Sequence, residues 1–130
     1  MAGVIEDILP LTPLQEGLLF HGLYDEEGPD AYLVQMTFDL SGRLDVPVLE
    51  RAAQRLLARH ANLRAAFRHG GLERPVQVIL RTAEPSWTEL DLSGLGEAER
   101  EAALAEALAS DRGRRFDLGQ GPLIRFMLIR

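Results

Sequence analysis

The chain of 130 residues has the length of one domain, and its 46% hydrophobic residues are sufficient for a core. Its net charge of −6 argues against a nucleic-acid-binding protein, which normally carries a basic patch. The absence of cysteine excludes disulfides, a thiolate nucleophile and a cysteine-ligated zinc site. Neither a signal peptide nor a membrane-spanning run is recognisable, which favours a cytoplasmic protein without a membrane partner.

A short lead over residues 1–10 runs into an extended piece at residues 8–11, and a first helix follows from Thr12 to about residue 23. Thr12 is a good capping residue, Pro13 suits the first helical position, and Gln15 lies three residues after the cap. These three residues therefore predict where the helix begins.

The interior of this helix allows two interpretations, packing or part of a site. Its large apolar side chains are expected to pack against a sheet: Leu14, Leu18, Leu19 and Phe20. Gly17 in the middle has no evident helical purpose. His21 near the end can interact with the last carbonyl groups, pack, or belong to a site.

After a polar loop over residues 25–30, residues 32–40 alternate in the period-2 pattern of a strand. The residues predicted to form its buried face are Tyr32, Val34, Met36, Phe38 and Leu40. A turn at Ser41 and Gly42 follows.

A long helix is predicted next, with Asp45 as its cap and Pro47 in its first turn. Its apolar residues follow the helical period: Leu49, Ala52, Ala53, Leu56, Leu57, Leu63 and Phe67. Gly70 and Gly71 are predicted to end it.

The second half predicts a strand at residues 75–81, a possible short strand at 87–92, and a helix at 97–110. Residues 122–130 read as a strand that is nearly buried on both faces. These elements predict one α/β (α+β) domain with helices packed on a mixed sheet. Because an unprotected apolar strand invites aggregation, the ending at Arg130 suggests a chain that is cut short.

The three histidines do not by themselves indicate an enzyme. His60 lies on the predicted apolar face and is expected to be a core histidine with a hydrogen-bond partner, whereas His69 is expected at a helix end. No pair of them has metal-ligand spacing, and no hydrolase triad is visible. The residues alone therefore indicate no catalytic group, no metal ligand and no bound cofactor.

Arg64 is the more informative polar residue. At 100° per residue it lies inside the predicted apolar arc of the long helix. A guanidinium there must either reach out to water or pair with a carboxylate, since an unpaired buried charge is costly. Asp39 and Asp117 are available as partners, and the sequence selects neither.

Three segments resemble condensation domains of nonribosomal peptide synthetases. The stretch LTPLQEGLLFH (residues 11–21) resembles their first core motif, and RHANLRAAF (residues 59–67) resembles their second. The stretch FDLGQGPLIRFMLIR (residues 116–130) resembles the segment before their third motif. The form TPLQEGLLFH is also similar to that of domains that join a D-configured upstream residue to an L-amino acid.

This resemblance implies part of a chloramphenicol-acetyltransferase-like lobe, namely the N-terminal part of the N-terminal lobe over residues 1–130. The family forms amide bonds between thioesters held on 4'-phosphopantetheine arms of carrier domains. The resemblance implies these partners: upstream and downstream carrier domains, the remainder of the condensation domain and an adenylation domain. The catalytic His-His-x-x-x-Asp-Gly motif is expected after Arg130, so the chain by itself is expected to be inactive.

The resemblance also implies roles for individual residues. In the first motif, structural or tunnel-adjacent positions are Thr12, Pro13, Gln15, Gly17 and His21. In the second motif Arg64, with His60 and Phe67, is structural, and Arg64 pairs with the aspartate of the His motif.

Two alternatives remain open from the sequence. The chain could be a docking or scaffold piece that engages an upstream synthetase or a complementary chain, because an apolar strand edge favours pairing. It could also belong to a related acyltransferase that uses coenzyme A thioesters.

Overall fold

The computed structural model describes residues 4–25 and 30–130. The elements in chain order are β1 (Ile5–Pro10), α1 (Pro13–Tyr24), α2 (Val46–Arg59), a 3-10 segment (Ala61–Arg64), β2 (Ala65–Arg68), β3 (Val76–Leu80), β4 (Ser86–Leu90), α3 (Glu97–Gly113) and β5 (Arg125–Ile129). The middle of the polar loop predicted at residues 25–30 lies outside the described residues.

The strands form one antiparallel sheet in the order β1-β3-β2 and one parallel pair, β4-β5. Val78 on the central strand faces Ile8 of β1 on one side and Ala66 of β2 on the other. The buried apolar residues lie mainly on these strands and on α2: Leu11, Leu19, Ala53, Leu57, Ala65, Ala66, Val78, Ile79 and Leu92. The predicted α/β (α+β) class is confirmed, but in the described residues the antiparallel and the parallel strands form two separate sheets instead of one mixed sheet.

Local capping explains where the first two helices begin. Thr12 and Gln15 form a capping box at α1, with Pro13 as the first helical residue. Asp45 caps α2 by accepting a hydrogen bond from the backbone N–H of Val48 at 3.1 Å. Both predicted helix starts are therefore confirmed.

The predicted length of the second helix is wrong. α2 ends at Arg59, with His60 as its C-cap, and Phe67 lies on β2 rather than on a helix. Residues 65–68 pair with β3, and this tertiary pairing overrides a helical period that continues by coincidence. Gly71, with φ of 73°, belongs to the loop between β2 and β3 instead of ending a helix.

The strand predicted at residues 32–40 is also wrong, because this segment pairs with no strand among the described residues. The face predicted to be buried is exposed, with Val34 at 80% and Phe38 at 74%. Leu33 and Gln35, on the alternate positions, are half-buried. Gln35 donates to the carbonyl of Leu108 at 3.0 Å, so the side of the segment that carries Gln35 is the side that contacts α3.

The remaining predictions hold with shifted boundaries. The strand at residues 75–81 is β3, the possible strand at 87–92 is β4, and the helix at 97–110 extends to Gly113. The last strand is β5, but it is not buried on both faces: its residues are half-buried or exposed, with β4 as its only neighbour within the described chain.

Candidate functional site

The first motif segment is held by a capping box that is tied to the sheet. The Oγ1 of Thr12 accepts from the backbone N–H of Gln15 at 3.2 Å, and the Gln15 Oε1 accepts from the N–H of Thr12 at 2.9 Å. Gln77 on β3 also donates from its Nε2 to Gln15 Oε1 at 3.3 Å and to the Pro10 carbonyl at 3.2 Å. Gln15 therefore connects the start of α1 to the central strand.

The expectation that the apolar run of α1 packs against the sheet is met by only part of the run. Leu19 is buried and Leu18 is half-buried, but Leu14 and Phe20 are exposed. A Cβ added at Gly17 would meet no atom within 4 Å beyond the neighbouring backbone of its own helix. His21 is exposed, with its ring centroid 5.8 Å from that of Phe20. Gly17 and His21 thus lie on an outward face of α1 rather than on its packing side.

Arg64 is buried, but it lies on the 3-10 segment after α2 and not on the helix for which the helical wheel was drawn. Only 5% of the residue is exposed. Its Nε donates to the carbonyl of Leu57 at 2.9 Å, and its Nη1 donates to the Arg81 carbonyl at 3.2 Å. Nη1 also donates to the carbonyl of Leu80.

The carboxylate partner of Arg64 is Glu6, with 2.6 Å between Nη1 and Oε2. It is neither Asp39 nor Asp117, so both sequence candidates are wrong. The hydrogen bond from Arg64 lowers the pKa of Glu6 despite the opposing effect of partial desolvation, and the positive charge of Arg64 lowers it further. The sequence does not point to Glu6, because the extended pattern that it predicts begins only at residue 8.

The other residues of the second motif are less enclosed. His60 is exposed at the end of α2, where its N–H donates to the Leu56 carbonyl at 3.1 Å. The expectation of a core histidine is therefore wrong, because the helix ends before His60 can face the core. Phe67 is half-buried on β2, and its N–H donates to the Leu118 carbonyl at 2.8 Å.

The third segment lies against the second segment and against the part of α1 that directly follows the first segment. The Leu118 carbonyl binds β2 at Phe67, while the Leu118 Cδ1 lies 3.1 Å from where a Cβ at Gly22 of α1 would be. A Cβ at Gly121 would lie 2.7 Å from the Ala65 carbonyl oxygen. Leu118 of the third segment thus contacts the second segment at Phe67 and α1 at Gly22, the residue directly after the first segment.

A second polar cluster, to which the sequence gives no signal, joins α3 to β5. Arg125 donates from Nε to Asp111 Oδ1 at 2.7 Å and from Nη2 to the Arg114 carbonyl at 2.8 Å. Its guanidinium lies 4.3 Å from the ring centroid of Phe116. Gln35 donates to the other Asp111 oxygen at 3.1 Å. Burial tends to raise the pKa of Asp111, but the hydrogen bonds from Arg125 and Gln35 outweigh it, so this pKa is lowered.

Comparison with known protein families shows to which family the chain belongs. The sequence model of the family described as Condensation domain matches residues 5–130. The chain belongs to the condensation domain family. The resemblance to condensation domains of nonribosomal peptide synthetases, drawn from its motifs, is confirmed.

Named relatives agree with this membership. The chain is 42% identical over 126 residues to one of the linear gramicidin synthase subunits of Brevibacillus parabrevis, covering 97% of the chain and 2% of that protein. It is 36% identical over 124 residues to tyrocidine synthase 2 of the same species, covering 95% of the chain and 3% of that protein. The chain therefore spans only a few per cent of the curated relatives that it matches.

Solved structures support the fold. The condensation domain of the monacolin K polyketide synthase MokA superposes with a TM-score of 0.73 over 98% of this chain and 28% of that chain, at 16% identity. The cyclization-docking bidomain of EpoB from Sorangium cellulosum has 33% identity and a TM-score of 0.56 over 67% of this chain and 17% of that chain. The condensation-domain fold, a chloramphenicol-acetyltransferase-like architecture present here in part, is confirmed.

The described part of this condensation domain has neither a metal centre nor a membrane span. Within residues 4–25 and 30–130, no group of three or more His, Cys, Asp or Glu side chains could hold a metal ion. No helix in the same residues is long and apolar enough to cross a membrane.

Proposed function

We propose that residues 1–130 form the N-terminal part of the N-terminal lobe of a condensation domain that makes amide bonds in nonribosomal peptide synthesis. The observation that carries this proposal is the family match over residues 5–130, supported by the contacts of Leu118 with Phe67 on β2 and with Gly22 on α1. The gramicidin and tyrocidine synthases among the relatives support the same reaction class.

In the proposed reaction, the amine of a carrier-bound aminoacyl group attacks the carbonyl carbon of an upstream carrier-bound thioester. A C–N bond forms, the C–S bond breaks, and the proton lost by the amine is balanced by the released thiol. Most of the rate enhancement comes from holding amine and thioester in attack geometry, with proton transfer assisted by a histidine. The substrates arrive on 4'-phosphopantetheine arms of upstream and downstream carrier domains, the latter loaded by an adenylation domain, in the cytoplasm.

The chain's own residues have a supporting role in this proposal. Thr12, Pro13 and Gln15 fix the start of α1, which leaves Gly17 and His21 on its exposed face, available to line a tunnel.

Arg64 supports the reaction from the second motif. It is held through Nε and Nη1. Its Nη2 makes no hydrogen bond to the described residues, which leaves it for the aspartate of the His motif that the resemblance implies.

The test is a condensation assay with the two adjacent carrier domains loaded with their own aminoacyl groups, and mass spectrometry as readout. We expect the amide product with the polypeptide that continues through the His motif, and none with the 130-residue chain alone. An acceptor carrier whose amine is acetylated is the matched control and yields no amide. Turnover by the 130-residue chain, or none by the longer polypeptide, would contradict the proposal.

A further inference from the structure

A β-bulge in β1 accounts for the contact between Glu6 and Arg64. Ile5 is paired with Leu80 and Asp7 with Ile79, so Glu6 is an extra residue between two consecutive pairs. A bulge of this kind bends the strand locally and re-aims the side chain of the inserted residue. Without the bulge, Glu6 would take its place in the regular alternation of the strand.

The guanidinium of Arg64 occupies the position that the bulge creates. Its Nη1 donates to the carbonyls of Leu80 and Arg81, at the end of β3 that faces the bulge, as well as to Glu6. Because a bulge disrupts the backbone ladder, carbonyl groups next to it need other donors. Arg64 supplies these donors and is nearly fully buried in doing so.

Among these acceptors, Glu6 is the only one with a full charge. Its side chain is 42% exposed, whereas that of Arg64 is 6% exposed, so the pair lies at the boundary between core and solvent. The adjacent carboxylate, Asp7, does not take part: its Oδ1 accepts from the N–H of Ile8 at 2.8 Å on its own strand. Arg81 is the other cation near Glu6, and its Nη2 lies 3.5 Å from the Ile5 carbonyl oxygen.

We propose that Glu6 is a positioning residue for the condensation reaction: from the β-bulge it holds Nη1 of Arg64, so that the Nη2 side of the guanidinium is presented in one orientation. This proposal rests on the proposed function, in which Nη2 donates to the aspartate carboxylate of the His motif expected after Arg130. A bidentate or forked guanidinium contact depends strongly on orientation, which is why a residue that only steers Arg64 affects the rate.

The first test uses the complete condensation domain with loaded carrier domains and compares Glu6→Gln with wild type. We expect kcat to fall about tenfold, with KM for both carrier-bound substrates unchanged. The matched control Asp7→Asn removes a neighbouring charge from the same strand and leaves kcat at the wild-type value.

A double-mutant cycle combines Glu6→Gln with Arg64→Lys. In the Arg64→Lys background, Glu6→Gln is expected to have no further effect on kcat, because Glu6 acts through Arg64.

The second test is independent of activity. Solvent exchange of the Arg64 Nε–H, followed by 15N NMR, is expected to be about tenfold faster in Glu6→Gln than in wild type, and unchanged in Asp7→Asn. The positioning role would be overturned if the Arg64 Nε–H exchanged in Glu6→Gln at the wild-type rate. It would also be overturned if the loss of kcat caused by Glu6→Gln added to the loss caused by Arg64→Lys. A wild-type domain that forms no amide would instead overturn the proposed function, and the exchange measurement would still decide the role of Glu6.

Discussion

Two glycines in the motif segments, Gly121 and Gly17, differ in how much space an added side chain would find. Gly121 lies against β2, where a Cβ would be 2.7 Å from the Ala65 carbonyl oxygen and 3.2 Å from its carbonyl carbon. Backbone atoms of a paired strand cannot move away cheaply. Gly17 lies inside α1, and beyond the neighbouring backbone of that helix no atom lies within 4 Å of an added Cβ, so its small size is not required by packing among the described residues.

Replacing these glycines by alanine should therefore change stability in opposite directions. Gly121→Ala is expected to lower the free energy of unfolding by about 1–3 kcal/mol, because it overpacks the contact with β2. Gly17→Ala is expected to raise it by about 0.5–1 kcal/mol, because alanine is the better residue inside a helix. Urea denaturation of the condensation domain measures both, and equal effects of the two changes would contradict this account.

The activity of Gly17→Ala adds a functional readout to the same experiment. A variant that is more stable but slower in condensation would support the tunnel-adjacent position implied by the motif. An activity equal to wild type would contradict that position.

At the same scale, the sequence marks Arg64 as unusual but does not identify its partner. A guanidinium among apolar residues predicts that it either reaches out to water or pairs with a carboxylate, and the structure has the second arrangement. The partner is separated from it by 58 positions and sits on a bulge, and period-2 alternation does not reveal a bulge. The bulge is decided by pairing between β1 and β3, which a single sequence does not specify.

At the scale of elements, caps are more predictable than lengths. Asp45 and Thr12 determine where their helices begin through local hydrogen bonds. Such caps can be predicted from the sequence because they depend on the residue type at one position and its near neighbours. The end of α2 depends instead on β3, which takes residues 65–68 as a strand partner. The segment at residues 32–40 shows the converse: its alternation predicts a strand, but the hydrogen bonds that tie it to another element join the Gln35 side chain to α3.

The cluster around Asp111 gives an element-scale prediction, because it links α3 to β5 and to Gln35. The pKa of Asp111 is lower in the folded state than in the unfolded chain, so the unfolded state takes up its proton first as pH falls. The stabilisation is present above the ordinary range of a carboxyl group, about pH 4, and is lost as pH falls through the folded pKa.

Asp111→Asn should thus lower the free energy of unfolding by about 1–3 kcal/mol near neutral pH. The difference from wild type should shrink as pH falls from about 4 through the lowered folded-state pKa, because below that pKa Asp111 is protonated in both states. Chemical denaturation across this pH range measures it, with Glu106→Gln on the exposed side of α3 as control. A difference that does not depend on pH would contradict the ionised pair with Arg125.

At the scale of the whole molecule, the family motifs can be recognised in the sequence, but the contacts between the regions that carry them cannot be predicted from it. Residues 11–21, 59–67 and 116–130 signal the family in order along the chain. Leu118 reaches the other two regions through one backbone hydrogen bond to Phe67 on β2 and one close approach to Gly22, directly after residues 11–21. Neither has a compositional signal, because a backbone carbonyl is the same in every residue and glycine is also common in loops.

The largest departure at this scale is the row of exposed apolar side chains on residues 32–40, which we name the apolar row: Val34, Met36, Phe38 and Leu40. Exposed contiguous apolar side chains promote association, because burial of each large one is favourable by about 1.5–3 kcal/mol. We expect the 130-residue chain on its own to bind the hydrophobic dye ANS and to self-associate at micromolar concentration.

Substitution within the apolar row tests this expectation. The double substitution Met36→Thr with Phe38→Thr should weaken self-association at least about tenfold in sedimentation experiments and reduce dye fluorescence, since it removes two side chains that are 71% and 74% exposed. Leu72→Thr is the matched control, because Leu72 is also exposed but lies in the β2–β3 loop, away from the row. A monomeric wild-type chain without dye binding, or equal effects of the two sets of changes, would show that the apolar row is not what drives association.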